Sequence, residues 1–104
     1  MSRNKVLSLV GIATKAGKIA SGEFSTEKAV KCKKAYVVIV AADASENTKK
    51  KFQNMCIYYK TPCYFFGDKT ELGRAIGKEF RASLAVLDEN LGRAVREQLE
   101  NQTK

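Results

Sequence analysis

The stretch AYVVIVAAD, Ala35–Asp43, decides the fold. Its apolar run is continuous and β-branched, without the alternation of a strand that has one wet face. Such a run reads as a strand buried on both faces, as in a parallel sheet with helices on each side. Beyond it, Asp43 or Ser45 supplies the side-chain acceptor that a helix start requires. The helix that follows shows itself in Phe52, Met55, Cys56 and Tyr59, spaced i, i+3, i+4 and i+7.

Outward from this centre the chain keeps alternating. Thr61-Pro62 breaks it before a strand over Cys63–Phe66. Asp68, with Glu71 three residues later, has the form of a capping box for a helix over Thr70–Ile76. Ser83–Leu87 is a further strand, and Asp88 caps a last helix striped by Leu91, Val95 and Leu99. Toward the N-terminus, Val6, Val10 and Ala13, with Leu7 and Leu9 alongside, mark one face of a first helix that Gly17 stops. A short strand over Lys18–Ser21 then enters SGEFSTEKA, Ser21–Ala29, whose helix runs to about Lys33 and buries Thr26, Ala29 and Val30. No linker, repeat or low-complexity tract intervenes. A single α/β domain over residues 1–104 is expected, with helices on both sides of a small central sheet.

Composition narrows the function. The 104 residues suffice for one core. A charged share of 29% and the lack of any apolar run near the ~20 residues of a spanning helix argue against a membrane protein. The first residues carry Lys15 and Lys18 too early for a secretory leader, so a cytoplasmic protein is expected. Cys32, Cys56 and Cys63 lack a C-x-x-C pairing and are expected to be buried, inert thiols. Histidine is absent from the sequence, which removes Cys/His zinc sites and Cys-His catalysis. The strongest signal is charge: 19 Lys and Arg against 11 Asp and Glu, net +8 at pH 7. On so small a surface this favours a polyanion, and a nucleic-acid backbone is the usual one.

No enzymatic motif stands up to its own chemistry. GIATKAGK, Gly11–Lys18, resembles a phosphate-binding loop only loosely. Its glycines are one residue too far apart, Ile19 stands where a hydroxyl would hold magnesium, and a helix precedes it instead of a strand. Asp43, Asp68 and Asp88 lie at strand ends but are each explained as helix caps. What remains is a distributed basic surface. Lys28 and Lys31 share a helix face, extended by Lys33 and Lys34, and Lys69, Arg74, Lys78 and Arg81 follow from the fourth helix into the next loop. Lys49-Lys50-Lys51 reads as a solvated run, because consecutive residues point around the helix axis.

The stretches KAGKIASGE, AADASENTKKKFQNMCIYYKTP and ELGRAIGKE together resemble the kink-turn RNA-binding ribosomal proteins of the L7Ae type, in particular their small bacterial YlxQ-like branch. The resemblance extends from Lys5 to about Leu87. It implies a three-layer α-β-α sandwich around a four-stranded mixed sheet, no cofactor, and a non-enzymatic, monomeric protein. The implied partner is structured RNA, either ribosomal RNA or another kink-turn RNA, with ribosome association.

In that family a turn of pattern Gly-x-Asn-Glu-x-x-Lys sits against the sheared G·A pairs of a kink-turn. Carried over, Gly22 matches the glycine and Lys28 the lysine, while Phe24 and Ser25 occupy the Asn and Glu positions. Glu23 is a substitute if the register shifts. A second contact loop places Lys78, Glu79, Phe80 and Arg81 near the RNA, with Phe80 the stacking candidate. The RNA-binding set implied is therefore Gly22, Glu23, Phe24, Ser25, Lys28, Lys31, Lys69, Phe80 and Arg81. Base-edge groups specify and phosphate groups position, so attachment with weakened or altered kink-turn selectivity is expected. Two readings stay open for Phe24, a staple against the first helix or an RNA contact, and two for Phe80, core or contact. A protein-interaction module on the same fold is the alternative function.

Overall fold

Two strands are buried at every position, and both lie in the middle of the sheet. A computed structural model describes residues 2–102, with side chains at 5–101. Its order is α1 (Ser2–Lys15), β1 (Ile19–Ser21), α2 (Glu23–Lys31), β2 (Val37–Val40), α3 (Glu46–Tyr59), β3 (Cys63–Phe65), α4 (Lys69–Ala75), β4 (Ser83–Val86) and α5 (Glu89–Gln102). The strand order is β1-β4-β2-β3. Every residue of β2 and β4 is buried, whereas the edge strands β1 and β3 are only partly so.

The sheet is mixed. β2 runs parallel to β3 but antiparallel to β4, and β1 is antiparallel to β4. The VVIV run thus owes its two-sided burial to helices on both faces, not to an all-parallel sheet. α1 packs on α5 and α4, while α2 packs on α3. Val6 and Val10 of α1, Val30 of α2, Phe52 of α3, Leu72 of α4 and Val95 of α5 all meet the sheet in one core. This is the three-layer sandwich that the resemblance implies.

Local chemistry explains the element boundaries. Ser45, not Asp43, caps α3: its Oγ accepts from Thr48 N at 3.2 Å. Asp43 instead reaches across the sheet end, where its Oδ1 accepts from Lys69 N at 3.0 Å in the first turn of α4. The capping box of α4 is complete, since Asp68 Oδ1 accepts from Glu71 N and Glu71 Oε1 accepts from Asp68 N. Asp88 Oδ2 accepts from Leu91 N at 2.9 Å at the start of α5. α2 stops at Lys31, two residues before the expected end, and Lys33 turns the chain in the left-handed region at φ 59°.

The cysteines divide. Cys56 is buried against the half-buried Cys63, and the hydrogen bond between the thiols together with burial pushes Cys56 up. Cys32 is exposed, against expectation. It caps the C-terminus of α2, outside the stripe of Thr26, Ala29 and Val30 that faces the sheet.

Candidate functional site

Sheet register builds the site. β1 and β4 are antiparallel with Ser21 opposite Leu84, so the chain leaving β1 passes beside the chain entering β4. Gly22 N donates to Ser83 O at 2.9 Å and locks the two together. Gly22 adopts φ 89°, ψ 164°, a region that only glycine enters without strain. A Cβ there would have Arg81 Nε as its nearest neighbour, at 4.0 Å. Arg81 spans both segments: Nε donates to Ser21 Oγ at 3.3 Å, Nη1 to Phe80 O at 2.8 Å, and its backbone N to Lys69 O at 3.0 Å. The β1–α2 turn, the α4–β4 loop and the start of α4 therefore form one surface at one end of the sheet.

Phe80 is held there by a glycine. A Cβ on Gly73 would lie 2.4 Å from Phe80 Cα, so the loop backbone rests directly on α4. The Phe80 ring is 60% exposed and does not belong to the core. Phe24, in the first turn of α2, is 78% exposed and is not packed into the core.

The N-terminus of α2 has no side-chain cap. The first intrahelical bond runs from Thr26 N to Gly22 O, which leaves the N–H groups of Glu23, Phe24 and Ser25 without helical partners. These groups, with the positive end of the helix dipole, suit an anion. Lys28 lies one turn on from Phe24, exposed and without an ion pair among the described residues. A buried contact of Ser83 Oγ with Thr26 Oγ1 at 3.4 Å ties this helix to β4.

Two residues of the expected set are otherwise engaged. Glu23 pairs with Lys51 of α3 at 2.8 Å, Lys51 also meets Glu27 at 2.8 Å, and Glu27 meets Lys31 at 2.7 Å. The ammonium groups of Lys31 and Lys51 hold the Glu27 carboxyl down from its ordinary 4.5 to about 2. In turn the carboxylates raise Lys31 and Lys51. Glu23 is thus drawn toward α3, and the charge of Lys31 is largely neutralised. Lys51, read from sequence as merely solvated, joins α3 to α2 across 28 positions of sequence, and no local pattern marks it.

The sequence profile of the "Ribosomal protein L7Ae/L30e/S12e/Gadd45 family" matches residues 4–96. The chain belongs to this family. Its relatives include the "RNA-binding protein YlxQ" of Enterococcus faecium, 37% identical over 99 residues that make up 95% of each chain. The protein of the same name from Bacillus subtilis is 40% identical, covering 86% of this chain and 89% of the relative. Among solved structures, the "Giardia lamblia 15.5kD RNA binding protein" superposes with a TM-score of 0.81 at 27% identity, over 96% of this chain and 86% of that one. The L7Ae/L30e/S12e/Gadd45 match runs from α1 into α5, so the β1–α2 turn, α2 and the α4–β4 loop all fall inside it.

Proposed function

We propose that residues 1–104 act as one non-enzymatic domain that binds structured RNA, holding kinked RNA by its shape and phosphates. One observation carries this reading: antiparallel pairing of β1 with β4 joins an uncapped helix end, the exposed ring of Phe80 and the cations Lys28, Lys69 and Arg81 in a single surface. The YlxQ relatives and the Giardia protein are RNA-binding proteins by name, which supports RNA as the partner. Gly22 lets RNA approach the backbone, the N–H groups of α2 and Lys28 take phosphate, and Phe80 stacks on an extruded base. Phe24 and Ser25 stand where a base-reading Asn and Glu would, so the complex discriminates G·A pairs weakly.

Binding to a kink-turn hairpin, compared with a hairpin whose G·A pairs are replaced by Watson–Crick pairs, tests the proposal. Affinity for both should fall steeply with salt. The preference for the kinked form should stay below the ~5- to 140-fold that one bidentate base contact supplies. Affinity indifferent to salt would sink the reading. In lysates, cosedimentation with ribosomal subunits that high salt strips away is the expected outcome if ribosomal RNA is the partner.

A further inference from the structure

Phe24 is the one aromatic of α2, and it forms the crest between two shallow grooves. Phe24, Lys28 and Cys32 recur at i, i+4 and i+8, and all three line both grooves. On the side toward β1 the groove has a volume of about 270 Å³, with Ala20, Ser25, Ala29 and Lys34 completing its walls. The groove on the other side, about 240 Å³, contains Glu27 and Lys31. Both fall below the ~300 Å³ at which sites for whole small ligands begin. A single flat ring laid against Phe24 suits that size.

Their charges differ. The β1-side groove is lined by Lys28 and Lys34 and by no carboxylate. The opposite groove presents the Glu27 carboxylate, which already pairs with Lys31 and Lys51. An occupant that is aromatic and anionic therefore favours the β1 side. An exposed Phe ring beside ammonium groups that make no ion pair among the described residues is the combination that takes an unpaired nucleotide: the ring stacks on the base, and lysine takes the phosphate.

We propose that Phe24, Lys28 and Lys34 form a second nucleotide subsite, separate from Phe80, in which an unpaired nucleotide stacks on Phe24 within the β1-side groove. The subsite deepens the proposed RNA-binding function and rests on it. It also gives the residue at the Asn position a positive role: contact by ring stacking replaces contact by hydrogen bonding.

The test uses a labelled kink-turn hairpin and versions in which each unpaired nucleotide in turn is made abasic. Phe24→Ala and Phe24→Leu should each weaken binding of the intact hairpin by about 5- to 140-fold, the range for one stacked base. Neither should change the salt slope, because no phosphate contact is lost. Phe24→Trp should restore affinity, with its emission quenched on binding. With one abasic hairpin the penalty of Phe24→Ala should vanish, the mark of direct coupling. Because the ring is exposed, the melting temperature of these variants should match that of the wild type. Equal affinity of Phe24→Ala and wild type would overturn the subsite while leaving RNA binding intact. A penalty identical on every abasic hairpin would overturn it too, since it would show that Phe24 acts through the helix. A wild-type chain that binds none of these RNAs would overturn both the subsite and the proposed function.

Discussion

Lys28 and Lys31 share a helix face three residues apart, yet only one of them has its charge to spare. Lys31 is paired with Glu27 at 2.7 Å, and Lys28 is unpaired among the described residues. Neutralising Lys28 with Gln should therefore flatten the log K against log salt slope by about 0.7–0.9, the contribution of one phosphate contact. Lys31→Gln should change it far less, and a fluorescence-anisotropy titration of RNA at several salt concentrations separates the two. The same ion network has an acid limit. A carboxyl held at about 2 contributes stability that is complete above its ordinary 4.5 and is lost as pH falls between the two. Carbon-detected NMR should find the Glu27 carboxyl titrating near 2 and moving upward in Lys51→Met. At Gly22 the constraint is backbone alone. With Arg81 Nε at 4.0 Å as nearest atom, a methyl group meets no clash, but φ 89° strains any L residue. Gly22→Ala should cost about 1–3 kcal/mol in urea unfolding, with RNA affinity falling as the turn shifts.

Helix α4 is short, at seven residues, and it depends on its ends and on one glycine. Its start is held by the Asp68–Glu71 capping box and by Asp43, which donates nothing itself but accepts the Lys69 N–H. Asp68→Ala should destabilise by about 1 kcal/mol on the usual scale for caps. Gly73 is the tighter constraint: a Cβ at 2.4 Å from Phe80 Cα meets backbone, which cannot rotate away as a side chain would. Gly73→Ala should cost about 1–3 kcal/mol in thermal or urea unfolding and should also move the Phe80 loop, so that RNA affinity drops more than stability explains. Most elements could be read locally. The buried VVIV run, the capping box of α4 and the Leu91, Val95, Leu99 stripe of α5 each need only a few neighbouring residues. Asp43 misled for the same reason: a carboxylate after a strand looks like a cap for the next helix, whereas its partner lies 26 positions further along.

At the scale of the whole molecule, the sheet order β1-β4-β2-β3 gathers four loops at one end and gives the net charge of +8 a place to act. Phe52, fully buried between α3 and the sheet, should be the costliest core truncation: Phe52→Ala is expected to lose about 3–5 kcal/mol, measured by urea denaturation. By itself the sequence determined the alternation of helices and strands, the two-sided burial of the central strand, the absence of Cys/His chemistry and the basic surplus. Periodicity, residue type and charge are properties of neighbouring residues, and they need no fold to be read. Only the tertiary structure decided which groups face solvent together. Phe24 read equally well as a staple or an RNA contact, and Phe80 as core or contact, until packing left both rings exposed. Cys32, at the C-terminus of α2, fell outside the stripe of Thr26, Ala29 and Val30 and is exposed. Glu23 lost its freedom to Lys51 because α3 lies against α2, whereas Lys31 pairs within α2 with Glu27, one turn earlier. Contacts between residues distant along the chain depend on strand register and helix packing, and those are set by the core as a whole.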